Sequence, residues 1–366
     1  MCSNRAGLSV RLLLGLCGLA GPFLAALLLA ACGPTAARPP APIALPTPAP
    51  SAAPSEPPPP MARQSLRAAY TAPSASQAPL WIGVEAGLFQ EQGLDVETFY
   101  ISGSDKAVAA LLAGETPVTL LAANTLISAV AQGADLIYVA GGSAKLTFQL
   151  MVPPQITSAA QLRGQPVGAT GRGSANDFAL RYALRRLGLD PEHDVVLRAI
   201  AGGEPQMLAA MQSGAILAGA FNAPNDYLAG QAGMRSLARL ADWNVPYQVA
   251  GVAVRRAFLA EQRDTVRRFV RGYVASVERM KADPAFAQAV MRQYLQSEDP
   301  QAIAWGYRAA VEALPSPPYP TEAALQTVID GLAEVTPEVR QLAPAALMDT
   351  TLLDEVTAGG RAEPPR

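Results

Sequence analysis

The stretch Thr170-Gly171-Arg172-Gly173-Ser174-Ala175-Asn176 combines residue types that can seat an anion. Glycines at 171 and 173 let the backbone approach a ligand closely. A helix opening directly after them offers free N–H groups and the positive end of its dipole. Arg172 could add a fork of donors to a carboxylate, phosphate or sulfonate. The competing reading is an ordinary glycine-rich turn with Arg172 in solvent. It is not a phosphate-binding P-loop, because no Gly-Lys-Ser/Thr follows. Ser74, Ser76 and Gln77 form a second polar group, able to hydrogen-bond a ligand or simply to build a turn. Asn124 and Thr125 follow an apolar run and open a helical one. They fit a ligand contact or a helix N-cap equally. Asn222, Pro224 and Asn225 end another apolar run. Trp243 and Tyr247 could stack on a planar ligand or pack a hinge, and Asp242 beside them could pair with an amine. Trp81 is expected to pack its helix onto the body.

These groups need elements to hold them. Leu66 to Tyr70 reads as a strand. A polar loop, Thr71 to Ala78, follows. A helical run then starts at Pro79, carries Leu80, Val84, Leu88 and Phe89, and closes at Gly93. Proline near the start and glycine past the end are the usual signals. Leu94 begins the next strand. Such a βαβ unit places ligands at the carboxyl ends of its strands, so the polar loop falls where a small molecule would bind. Further strands are expected at Glu97–Ile101, Pro117–Leu121 and Leu136–Ala140, with helices at Lys106–Ala113 and Leu126–Gln132. Three β-α repeats over this span argue for a parallel α/β sheet.

Lys145 to Val152 is read as a strand leaving that sheet. A second α/β set follows: a short helix near Ser158–Gly164, strands at Pro166–Ala169, Val195–Ile200 and Ala218–Phe221, and helices at Phe178–Leu187 and Pro205–Ser213. A return crossing is expected near Pro246–Val254. Phe258–Tyr294 reads as two helices split at Asp283-Pro284. Gln301–Leu314, Glu322–Val335 and Leu352–Val356 are further helices, expected to pack on the first set.

The totals exclude several classes. The chain has 366 residues, is 50% hydrophobic and 16% charged, and carries a formal net charge of -2. No basic excess points to nucleic acid. Its cysteines are Cys2, Cys17 and Cys32, so the body holds no disulfide and no cysteine-ligated metal. The one histidine, His193, sits in Asp190-Pro191-Glu192-His193-Asp194, a polar connection read as a solvated loop. No metal and no cofactor are expected.

Arg5 and Arg11 precede an apolar run from Leu12 to Ala31, the form of a secretory signal. The run ends in Leu29-Ala30-Ala31-Cys32, which resembles a bacterial lipobox and implies cleavage before Cys32 with the lipid on that cysteine. The alternative is an uncleaved anchor. Pro34 to Pro60 is almost wholly Pro, Ala, Ser and Thr, a composition that cannot bury a core and favours extended polyproline geometry. The expected organisation is a signal peptide over 1–31, a tether over 32–62, one lobe over 63–144 and 247–357, a second lobe over 145–246, and a disordered tail over 358–366. The body would lie outside the cytoplasmic membrane.

Several blocks in register now resemble one superfamily. Pro79-Leu80-Trp81, Glu85-Ala86-Gly87-Leu88-Phe89 and Gly93-Leu94-Asp95-Val96-Glu97 are similar to the opening of nitrate/sulfonate/taurine-type solute-binding proteins of ABC importers, a group that includes binders of thiamine-pyrimidine precursors. Ala109 to Glu115, Ser158 to Val167, Gly188 to Pro191 and Ala209 to Gly214 continue the match, which runs from about Leu66 to Glu355. The resemblance implies a two-lobed α/β periplasmic-binding-protein-like fold of type II, with two hinge crossings and a ligand cleft between the lobes. It implies capture of a small polar solute, sulfonate- or carboxylate-like or pyrimidine-like, by lobe closure. Delivery would be to an ABC permease and its ATPase. Nothing demands more than a monomer. An enzyme resembling thiamine-pyrimidine synthase is the rival on the same fold, where the resemblance predicts histidine and cysteine in the cleft. A ligand-sensing lipoprotein is the other rival.

Overall fold

The computed structural model describes residues 63–333 and 336–359. The expected signal peptide, Cys32, the tether up to residue 62 and most of the expected tail lie outside the described residues. In chain order the elements are β1 (Gln64–Tyr70), α1 (Ala78–Glu85), β2 (Leu94–Tyr100), α2 (Ser104–Ala113), β3 (Val118–Leu121), α3 (Ala123–Ala131), β4 (Leu136–Ala140) and β5 (Ser143–Lys145). Then come β6 (Gln149–Val152), β7 (Pro166–Ala169), α4 (Ala175–Arg186), β8 (Val196–Ala199), α5 (Glu204–Gln212), β9 (Gly219–Phe221), α6 (Asn225–Gln231) and β10 (Arg235–Arg239). The last are β11 (Pro246–Val249), β12 (Gly251–Arg255), α7 (Arg256–Glu261), α8 (Arg263–Ala282), α9 (Pro284–Leu295), α10 (Pro300–Ala313), α11 (Glu322–Leu332) and α12 (Thr351–Gly359).

Two five-stranded sheets organise the body, in the orders β2-β1-β3-β12-β4 and β10-β6-β9-β7-β8. β1 runs parallel to β2 and β3, as the βαβ spacing requires. The first sheet is nevertheless mixed, not parallel throughout. The returning β12 inserts between β3 and β4 and is antiparallel to both. Its sequence, Gly-Val-Ala-Val-Arg, is apolar on both faces and so fills a doubly covered interior position. The second sheet is mixed too, with β6 antiparallel to β9 and β10. β5 and β11 pair antiparallel as a separate two-stranded ribbon where the chain passes between the sheets.

Other departures are local. The first helix stops at Glu85 instead of continuing to Phe89. Gly87, at φ +71°, turns the chain, and a 3-10 turn covers Gln90–Gln92. Lys145–Val152 divides into β5 and β6. α6 and β10 follow Asn222-Ala223-Pro224, where no element was expected, and Phe258–Tyr294 belongs to three helices, not two. α12 runs to Gly359, so the first two residues of the expected tail are helical.

Helices cover the first sheet by the apolar stripe rule. In α8 the buried residues Val266, Phe269, Val270, Tyr273, Val277 and Met280 fall on one face at helical spacing. The Phe89 ring stacks on Phe269 at 4.7 Å. It fills a slot that exists only because positions 83 and 272 are glycine. A Cβ at Gly83 would stand 2.5 Å from the ring, and one at Gly272 would stand 2.6 Å from it. Trp81 is fully buried and stacks on Tyr294 at 5.0 Å, the packing role expected of it.

Candidate functional site

The carboxyl ends of β1 and β3 in one sheet, and of β7 and β9 in the other, open toward a common groove. Its central cleft, about 390 Å³, is lined from the first lobe by Thr71, Ser74, Tyr100, Lys106 and Thr125, and from the second by Thr170, Gly171, Arg172, Ser174, Asn176, Glu204 and Asn225, among others. That volume lies in the range of small-molecule sites. A wider gap of about 800 Å³ lies between α2, α3 and α4. A third, of about 330 Å³, lies between α10 and the second lobe beside Asp226, Arg239 and Trp305. Thr125 and Arg172 border both the cleft and the wider gap.

The lobes touch between these spaces. Ala75 N donates to Ala223 O at 3.2 Å. Asn124 Nδ2 donates to Gly173 O, while Asn124 Oδ1 accepts from the Tyr247 hydroxyl. Burial raises the Tyr247 pKa strongly, so its hydroxyl stays protonated and serves as a permanent donor. Trp305 Nε1 lies 3.1 and 3.2 Å from the two oxygens of Asp226, which also accepts from Gln149 Nε2 at 2.6 Å. Tyr227 donates to Gln301 at 2.8 Å.

The glycine-rich turn is held by its own helix. Ser174 caps α4 by accepting from Asp177 N at 3.2 Å. Asp177 accepts from Gly173 N at 2.9 Å and from Arg181 Nε at 2.8 Å. Arg181 also pairs with Glu192. Gly173 sits at φ +71°, the left-handed region that favours glycine. The Thr170 hydroxyl lies 2.8 Å from Asn176 Oδ1 and 3.1 Å from Ser174 Oγ. Asn176 Nδ2 in turn reaches Glu204 Oε1 at 2.7 Å and Ala220 O at 3.0 Å. The turn is thus a rigid shelf, with Arg172 exposed at its tip.

Glu204 is the unusual group. Its residue surface is only partly accessible and its carboxylate sits deep in the molecule. Burial pushes its pKa up to about 8, against the lowering effect of bonds from Asn176, the Asn222 amide and Asn225; Asp226 raises it further. Asp226 is itself raised, chiefly by burial.

The expected site residues fall into three groups. Ser74, Thr125, Gly171, Arg172 and Ser174 line the central cleft, and so does Asn225. Asn124 and Gly173 line the wider gap instead, while Asn222 and Tyr247 line none of the three spaces. Asn124 and Tyr247 are fully buried, and Asn222 donates its amide to Glu204 and accepts from Thr147 at 3.2 Å. Ser76, Gln77, Pro224 and Trp243 line none of the three spaces. Ser76 and Gln77 turn inward in a 3-10 helix, where Ser76 bonds Ser74 at 2.8 Å. Trp243 lies beside Tyr182 and under Arg186 on the outer side of the second lobe's helix α4. Asp242 borders the third space. His193 is exposed and bonds Asp190 at 2.7 Å.

Sequence reasoning did not single out Glu204, Lys106 or Tyr100, which also line the cleft, whereas Asn176 falls in the stretch it did single out. For Glu204 a signal existed: Gly202-Gly203-Glu204-Pro205 opens a helix at a strand end. An acid in a first helical turn ordinarily serves the helix dipole, which masks a second role.

A family model described as "NMT1/THI5 like" matches residues 74–287. The chain is 26% identical over 136 residues to the "Putative binding protein YtlA" of Bacillus subtilis (strain 168), a match over 36% of this chain and 41% of that protein. It therefore spans about two-fifths of the curated relative it matches. Among solved structures, it superposes on the periplasmic nitrate-binding protein NrtA from Synechocystis PCC 6803 with a TM-score of 0.68 at 14% identity, over 82% of this chain and 90% of that one. It superposes on the ligand-binding component of an ABC-type import system from Staphylococcus aureus, solved with zinc bound, with a TM-score of 0.66 at 15% identity, over 80% of this chain and 99% of that one. The two-lobed periplasmic-binding-protein fold is shared throughout.

Proposed function

Because the chain belongs to the NMT1/THI5-like family, we propose that it is an extracytoplasmic solute-binding protein serving an ABC importer. The observation that carries this reading is the cleft of about 390 Å³ between the strand ends of two sheets, lined with polar groups from both lobes. Hydroxyls, amides, Lys106, Arg172 and Glu204 form a set suited to holding a small polar organic solute. The reading is of binding, not catalysis. His193, the chain's one histidine, stands exposed on a loop and serves no residue of the cleft. Lobe 1 would comprise 63–144 and 247–357 and lobe 2 would comprise 145–246, closing on the solute through the β5–β11 ribbon. The closed monomer would then dock on the permease.

A thermal-shift panel of sulfonates, nitrate, carboxylates, pyrimidines and amines tests it. A ligand at ~100 times its Kd adds ~2.7 kcal/mol, a rise of roughly 4 °C for a body of this size. A panel without a single stabilising solute would count against the proposal.

The lipid on Cys32, reached by cleavage after Ala31, is proposed to hold the protein at the outer face of the cell membrane. It is supported by the Leu29-Ala30-Ala31-Cys32 sequence at the end of an apolar run. Cys32→Ser is expected to move the protein from the membrane fraction to the soluble one. Retention in the membrane would favour an uncleaved anchor.

A further inference from the structure

Arg172, Lys106 and the amino end of α4 favour an anion, but the same cleft contains a carboxylate. Glu204 opens α5, and it lines the cleft together with Arg172 and Lys106. Its Oε1 accepts from Asn176 Nδ2 at 2.7 Å and from Asn222 N at 3.2 Å, and its Oε2 is 3.1 Å from the same amide. The Asn225 side chain adds a bond. Every one of these donors is neutral. Among the described residues no lysine or arginine pairs with Glu204. The charged groups around it are Asp226 on α6, and Asp105, Lys106 and Arg172 along the cleft. These are three donors, since the Asn222 amide is shared between both oxygens, and a carboxylate accepts at about four sites, which leaves one for a donor from the cleft side.

We propose that Glu204 sets the chemical class of the ligand: a solute that presents an N–H donor or a cationic nitrogen to Glu204, and an anionic or acceptor end to the Thr170–Ser174 shelf and Lys106. This rests on the solute-binding reading and makes it narrower. An oxoanion is disfavoured against the ionised form: both Glu204 oxygens then accept from N–H groups, and an oxoanion set against them places acceptor against acceptor and like charge against like charge. A donor nitrogen gains a charge-assisted bond in a site of low dielectric. The buried environment adds a signature in protons. A cationic nitrogen draws the carboxyl into its ionised form and releases a proton on binding, whereas an oxoanion can be accepted only with a proton retained or taken up.

The test is a library of matched pairs that differ by a nitrogen donor: taurine with ethanesulfonate, β-alanine with propionate, aminopyrimidines with methylpyrimidines, extended across such chemistries and including nitrate. Affinities are measured by calorimetry in two buffers of different ionisation enthalpy, on wild type and on Glu204→Gln. Among the probes that bind, the donor-bearing member is expected to bind at least ten-fold tighter and, where its nitrogen is cationic, to release a proton. Glu204→Gln should collapse that ratio. Equal or tighter binding of the donor-free members to wild type overturns the selectivity and leaves solute binding intact. This comparison needs no variant, so it stands even if Glu204→Gln folds poorly. A ratio unchanged in a folded Glu204→Gln overturns it equally. A library with no binder at all overturns the solute-binding reading, and the selectivity falls with it.

Discussion

Replacement of Asn124 by leucine is expected to weaken the closed molecule by about 2 to 5 kcal/mol. Asn124 is fully buried at the start of α3 and uses both ends of its amide. Nδ2 reaches Gly173 O in the opposite lobe and Oδ1 receives the Tyr247 hydroxyl from β11. Leucine has a similar volume, so packing changes little while two buried polar groups lose their partner. Each such orphan costs about 1 to 3 kcal/mol. Gly173 O keeps only a long contact from the Thr125 hydroxyl at 3.5 Å. The Tyr247 hydroxyl cannot shed its proton, because burial raises its pKa, and the residue is fully buried. One of the two bonds exists only while the lobes are together, so part of the loss falls on closure. Urea midpoints, together with the ligand-free radius of gyration, read the two parts. A Tyr247→Phe partner variant completes the cycle, because removing both members of a buried pair costs less than removing one. A midpoint equal to wild type, with no coupling in the cycle, would reduce Asn124 to a spacer.

How Asn124 was legible explains much of the rest. An amide at the junction of an apolar run and a helical run was readable as a cleft residue or a cap. The structure rules out the cap and puts Asn124 on the wider gap, not the central cleft. Its N-cap position is taken by Ala122, and the side chain spends its bonds across 49 and 123 residues of sequence. Periodicity reports which face of an element is buried, and so the helices α4, α5 and α10 were readable within a few residues. It does not report what lies across a gap. For the same reason the polar turn at Ser74 was found, while the inward rotation of Ser76 and Gln77 was not: a 3-10 turn of three residues has no repeat to read. Strand order was invisible for a related reason. β12 is an apolar run that would suit any interior slot, and only three-dimensional closure puts it between β3 and β4. The shelf from Thr170 to Ser174 was readable because its shape depends on local backbone, on glycine and on the helix that follows. Glu204 was not, because what distinguishes it is the set of neutral amides from Asn176, Asn222 and Asn225 gathered around it from two other segments.

Substitution of Gly142 by alanine is expected to be the most damaging single methyl in the region between the lobes. The two crossing segments lie side by side there, one running from β4 into β5 and the other from β11 into β12. A Cβ on Gly142 would stand 2.1 Å from Val249 O and 2.7 Å from Ala250 O. Both neighbours are backbone, so no rotamer change can relieve the contact. They are also fixed from the far side. Ala250 is already held at φ +55°, and Gly251 beyond it lies 2.5 Å, in Cβ terms, from the Tyr138 ring. Tyr138 is in turn tied to Leu121 O at 2.9 Å. The methyl must therefore push one crossing off the other, and the β5–β11 ribbon is short, with an irregular register. Overpacking against side chains costs about 1 to 3 kcal/mol; against immobile backbone a loss on the order of 3 kcal/mol or more is expected, or roughly 5 °C or more in Tm for a body of this size. Gly164→Ala makes a suitable control, since a Cβ there meets nothing within 4 Å and pays only for its left-handed φ. If the proposed closure turns on these crossings, Gly142→Ala should also lower affinity for any solute found in the panel, by more than Gly164→Ala does. A Tm within about 2 °C of wild type would mean that the crossings can separate freely. The rigid hinge assumed in the closure mechanism would then have to be sought elsewhere in the chain.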